Sequence, residues 1–133
     1  MARYASALLA SPEATYRSID LAGRTGGADG HALVDLLYAE LIRALGVAAW
    51  ATEHRDFKLK GERITRAIAI LFALENGLDF ERGGEVSRTL ATLYAGTRQS
   101  VIDASVGQDP APLRIAAANI AEIADAWRQL KAA

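Results

Sequence analysis

Residues 31–53 read HALVDLLYAELIRALGVAAWATE, and the spacing of their apolar side chains decides the fold. Leu33, Leu37, Leu41, Ala44 and Ala48 recur at steps of three and four, which puts them on one face of a helix. Val34, Tyr38, Ile42 and Leu45 widen that face. Leu36, Val47 and Trp50 lie on its other flank, so the apolar arc is broader than packing against one neighbour requires. Asp29 stands near the start as a cap.

Three further helices follow from the same reading. Over 56–76 the stripe is Ile64, Ala67, Ile68, Leu71, Leu74 and Leu78. Phe72 falls on one side of it, and Ile70 and Leu59 on the other, so Ile70 and Phe72 are expected to be partly exposed. Gly77 is expected as a C-cap in the left-handed conformation, and residues 78–84 as a tight connection. The third helix is expected to begin near Gly84 or Glu85 and stop at Gly107, with Val86, Leu90, Leu93, Tyr94, Thr97 and Val101 on one face. Asp109 and Pro110 are the expected N-cap and first position of a fourth helix, lined inside by Leu113, Ala116, Ala117, Ile120, Ile123, Ala124 and Trp127. Short links force neighbouring helices to run antiparallel, which predicts an all-α, up-down four-helix bundle over 29–133.

Residues 1–28 read as an N-terminal arm or short helix. Ser11 and Pro12 have the types expected of an N-cap and first helical position, and the glycine-rich stretch 24–30 separates the arm from the bundle. The arm carries Tyr4, Leu8, Leu9, Tyr16, Ile19 and Leu21, yet is too short for a core of its own.

Composition agrees with an all-helical domain. Of 133 residues, 51% are hydrophobic and 23% charged, and no proline falls between Asp29 and Asp109. A net charge of −1, from 15 basic and 16 acidic side chains, argues against an electrostatic nucleic-acid binder. The absence of cysteine excludes a disulfide scaffold, a thiolate zinc site and a cysteine nucleophile. No signal peptide or membrane-inserting stretch is read, so the expected location is the cytoplasm.

Reaction chemistry is not legible. Bundles hold di-metal sites through inward Glu-x-x-His pairs, but neither His31 nor His54 lies three residues after an acid. No metal or other cofactor is expected. A histidine phosphotransfer domain is the competing bundle, and Leu59-Lys60-Gly61 resembles part of its motif. Phe57 occupies the position of the phosphorylated histidine, and a phenyl ring has no nitrogen to accept a phosphoryl group. His54, Arg55, Lys58, Lys60, Arg63 and Arg66 form a local basic run, read as a solvated helix face partnered by Asp56 and Glu62. Glu75, beside the apolar stripe near the helix end, is within reach of an arginine or solvent.

Surplus apolar side chains remain. Leu36, Trp50, Leu59, Ile70, Phe72 and Ile115 fall outside the central stripes. Either an irregular bundle buries them or they form a groove for another amphipathic helix. Tyr38 and Tyr94 are expected to put rings in the core and hydroxyls at its edge, and Trp127 to anchor the fourth helix in the core. Arg43 and Arg98 are expected as ion-pair residues. Gly83 and Gly84 are expected to allow the tight link and a close approach of helices two and three.

From His31 onward the chain resembles the FliS family of flagellar export chaperones. The resemblance lies in Leu33-Val34-Asp35-Leu36-Leu37-Tyr38, Ile42-Arg43, Leu45, Ala67, Leu74 and Leu78-Asp79. It continues through Gly83-Gly84-Glu85-Val86, Leu90, Leu93-Tyr94, Arg98, Asp109, Leu113 and Trp127, about three quarters of the chain. Where the family carries Ser-Pro-Glu-Glu-Leu, this sequence has Asp29-Gly30-His31-Ala32-Leu33. The resemblance implies a cytoplasmic, non-enzymatic protein that binds the C-terminal segment of newly made flagellin, prevents its polymerisation and delivers it to the flagellar type III export gate. It also implies that the N-terminal segment shields the client site when no flagellin is bound. A monomer or weak homodimer is expected, with a phosphorelay protein or another helical adaptor as the alternative.

Overall fold

The computed structural model describes residues 30–132. Four helices follow in order: α1 (Gly30–Glu53), α2 (Phe57–Asn76), α3 (Phe80–Val106) and α4 (Ala111–Ala132). No strand occurs among the described residues. The expected arm, including the Ser11–Pro12 helix start, lies outside them. Links at 54–56, 77–79 and 107–110 return the chain after each helix. Helix α1 packs on α2 and α4, and α3 completes the bundle against α2 and, less closely, α4. The α1–α2 and α3–α4 faces are therefore on opposite sides.

An aspartate opens each helix that follows a link. Asp56 Oδ1 accepts from the Leu59 amide at 3.2 Å, Asp79 Oδ1 from the Arg82 amide at 3.0 Å, and Asp109 Oδ1 from the Ala111 amide at 2.9 Å. Each carboxylate satisfies an amide that has no partner within its helix. Helix α1 ends differently. Arg55 takes a left-handed conformation (φ 57°), with the Asp56 amide on the Ala51 carbonyl and the Arg55 amide on that of Thr52. This is the hydrogen-bond pattern of a helix stop that ordinarily uses glycine.

Two glycine expectations change. Gly77 caps α2 in a right-handed conformation (φ −79°, ψ −11°), because its amide still bonds to the Ala73 carbonyl as in a helix. The left-handed glycine is Gly84, at φ 51° and ψ −121°, and it breaks α3 just after its first turn. The expected loop at 80–83 is thus a helical turn, held by the Asp79 cap and by Ser87 Oγ donating to the Asp79 carbonyl at 2.7 Å. A Cβ at Gly84 would meet nothing within 4 Å, so its dihedral angles demand glycine, rather than a close helix approach.

The core draws on all four helices. Tyr38, Leu41, Leu45, Leu71, Leu90, Tyr94, Leu113 and Trp127 are fully buried. The Trp127 ring meets Tyr38 edge-on, with centroids 6.5 Å apart. The tyrosine hydroxyls do not reach the bundle edge as expected; they hydrogen-bond to one another at 2.6 Å inside the core. Each finds its partner across the bundle rather than in water. Leu33 leaves the expected stripe and is 39% exposed, because the buried row of α1 runs through Val34, Tyr38, Leu41, Leu45 and Ala48.

Candidate docking surfaces

The surplus apolar residues do not converge on one groove. Ile70 is 4% exposed and belongs to the core, which corrects its expected exposure. It stands on the same side of α2 as Arg63 and Ala67, so the buried arc of α2 extends past the stripe read from the sequence. Leu36 (58% exposed) and Trp50 (49%) lie on the outer side of α1, with the Trp50 ring stacked on His54 at 4.0 Å. His54 Nδ1 hydrogen-bonds to the Trp50 carbonyl oxygen. Leu59 is half-buried on α2. Phe72 is exposed beneath the guanidinium of Arg98, 4.4 Å from the ring centre, on the α2–α3 side. Arg98 also pairs with Glu75, so Glu75 meets an arginine as read.

Ile115 lies at a surface the sequence reading missed. Between α3 and α4 runs a trench of about 460 Å³ lined by Thr92, Leu93, Gly96, Thr97, Ser100, Pro112, Ile115, Ala116 and Asn119. A second hollow of about 320 Å³, sharing Ser100 and Pro112, extends it past Asp103 and Ala104 to Gly107 and Asp109. Its α3 wall sets the small Gly96, Ser100 and Ala104 beside Leu93 and two threonines, and a Cβ at Gly96 would meet nothing within 4 Å. The trench exists because α3 places glycine, serine and alanine where a bundle usually interlocks larger side chains. The motif residues divide by role. Tyr38, Leu78, Leu93, Tyr94 and Trp127 are buried, Leu37 packs against the core, Asp79 caps α3 and Gly84 supplies its kink, with Gly83 just before it.

The basic run is also divided. Lys60 is buried and donates to the Gly107 carbonyl at 2.6 Å, tying α2 to the α3–α4 link instead of joining a solvated face. Arg66 pairs with Glu40 of α1. The hydrogen bond and charge of Arg66, with further attraction from Arg43 and Arg63, hold the Glu40 carboxyl below the ordinary glutamate range. Arg98 is the ion-pair residue expected; Arg43 lies near Glu40 and forms no ion pair among the described residues. Among the described residues no three His, Cys, Asp or Glu side chains gather as metal ligands, and no helix is long and apolar enough to cross a membrane.

A helical bundle with an open trench of mixed polar and apolar lining and exposed apolar flanks has the kind of surface on which another polypeptide can dock. The chain belongs to the family described as Flagellar protein FliS, whose model matches residues 12–133. It is 30% identical over 116 residues to the flagellar secretion chaperone FliS of Salmonella typhimurium, covering 86% of each chain. The flagellar secretion chaperone FliS of Vibrio cholerae is 29% identical over 115 residues, 86% of this chain and 85% of that one. The flagellar secretion chaperone FliSB of Pseudomonas aeruginosa is 30% identical over 112 residues, 84% of this chain and 89% of that one. These relatives are named as chaperones, not as enzymes.

Proposed function

We propose that this protein is a cytoplasmic, non-enzymatic flagellar secretion chaperone whose client is the C-terminal segment of flagellin. The observation that carries this reading is the α3–α4 trench, which offers a small-residue wall at Gly96 and Ser100 and an apolar rim at Ile115. An amphipathic client helix can lay its apolar face there. Covering that face removes the surface by which flagellin subunits join, while leaving the client without a rigid fold before delivery to the export gate. Phe72, exposed on the α2–α3 side, offers further apolar contact to a client that extends beyond the trench. The ordering of such a segment costs about 2–5 kcal/mol, offset by the area it buries.

The test is co-purification with flagellin from the same genome, with and without its C-terminal segment. The expected result is a one-to-one complex that forms only with the intact client. Equal binding by the truncated client refutes the reading. In this reading residues 1–28 shield the trench until the client displaces them, and their apolar side chains support that role. Deleting residues 2–28 then speeds association. Slower association with an unchanged melting temperature eliminates the shield.

A further inference from the structure

Leu33, Leu36, Glu40, Arg43, Val47 and Trp50 follow one another along α1 at steps of three and four. This is the spacing with which a helix presents a seam to another helix. The seam is separate from the core-facing side of α1: Leu33, Leu36 and Trp50 are exposed, and Val47 is half-buried. A Cβ at the neighbouring Gly46 would meet nothing within 4 Å, so the helix surface beside the seam is open. From Leu36 to Trp50 the seam runs about 20 Å at the rise of an α-helix.

Its charge is lopsided. Glu40 is the carboxylate of the seam, and it already pairs with Arg66. Arg43 stands one turn after Glu40 on α1, and Arg63 one turn before Arg66 on α2, and neither forms an ion pair of its own among the described residues. Three guanidiniums, set against Glu40 and the neighbouring Glu62 of α2, leave a small local excess of positive charge on a chain whose net charge is −1. The seam is apolar at both ends, with Glu40 and Arg43 between and Arg63 and Arg66 of α2 beside them.

We propose that the outer face of α1, with Arg63 and Arg66 of α2 beside it, is a second docking surface that takes an acidic amphipathic helix from a partner protein. The partner's apolar side chains sit on Leu33 and Leu36 at one end and on Val47 and Trp50 at the other. Its carboxylates meet Arg43 and Arg63 between them. A second copy of this chain fits less well, because an antiparallel α1–α1 pairing centred on the seam brings two sets of arginines together with Glu40 already engaged. The face lies across the bundle from the α3–α4 trench, so both can be occupied at once. The proposal stands whether or not flagellin is the client of the trench.

The test titrates the full chain with two synthetic amphipathic peptides of about three heptads. Both carry leucine at the three–four spacing; one has glutamate at the flanking positions and the other lysine. Calorimetry reads the affinity, and a blue shift of tryptophan emission reports cover over Trp50. The acidic peptide is expected to bind at least about tenfold more tightly than the basic one, and to weaken with salt. Arg43→Gln with Arg63→Gln is expected to remove most of that preference and of the salt dependence, with helix content and melting temperature held. Ile115→Glu, in the trench, is expected to leave the acidic peptide's affinity unchanged. Equal affinity for the two peptides, indifference to the double arginine variant, or loss of binding in Ile115→Glu overturns the proposal. So does a dimer in sedimentation equilibrium that Leu36→Glu dissociates, since a second copy would then own the face.

Discussion

Gly96→Leu separates stability from client binding by moving them in opposite directions. Gly96 lies in the middle of α3, exposed, with open space around a built Cβ, so a leucine there projects into the trench without displacing backbone. Replacing glycine by a good helix former inside a helix stabilises by about 0.8 kcal/mol. For a domain of this size that raises the melting temperature by roughly 3–6 °C. The same side chain fills the trench between Thr92 and Ser100, where an incoming helix would seat an apolar anchor. Losing one fully buried anchor costs about 1.5–3 kcal/mol, or roughly ten- to a hundredfold in affinity. Thermal melting by circular dichroism and calorimetric titration with the flagellin C-terminal segment measure the two effects. A higher melting temperature with unchanged affinity would place the client elsewhere. A lower melting temperature would mean the trench is not open at Gly96.

Three further outcomes follow from the packing. Ile70→Asp should unfold the bundle as Leu71→Asp does, since both bury a charge, whereas Phe72→Asp gives up a contact with Arg98 worth only about 1 kcal/mol and should leave a cooperative melt. Gly84→Ala should lower stability by about 1–3 kcal/mol in denaturant titration, because alanine is strained at φ 51° and ψ −121°. Glu40 should titrate below an ordinary glutamate by NMR, and Arg66→Gln should raise its pKa. Because the folded pKa is depressed, any stability it contributes is present above the unfolded value and is lost as pH falls through the folded one.

The fold was legible because the periodic stripes are long. The inner faces of α3 and α4, from Leu90 to Val101 and from Leu113 to Trp127, are buried as their spacing indicates. Errors gathered at stripe edges. Leu33 and Ile70 sit where a small rotation of the helix decides between core and solvent, and neighbours distant in sequence set that rotation. The pairing of the Tyr38 and Tyr94 hydroxyls depends on two helices meeting across the core, which neither local pattern contains. The trench was the largest omission. A search for large apolar side chains finds surfaces that project, whereas this one is made by Gly96, Ser100 and Ala116 leaving space. Small residues on the trench-facing side of a helix were the available signal.

The links at 54–56, 77–79 and 107–110 bear on how quickly the chain reaches its structure. Three of the four helix interfaces join sequence neighbours, and only α1 against α4 closes over a long separation. Such low contact order puts helical bundles among the fastest folders, in microseconds to milliseconds. Helical hairpins can form as soon as adjacent segments emerge from the ribosome, and docking of α4 on α1 completes the bundle. The main phase of stopped-flow refolding should therefore fall within milliseconds, leaving little time for its own apolar surfaces to aggregate.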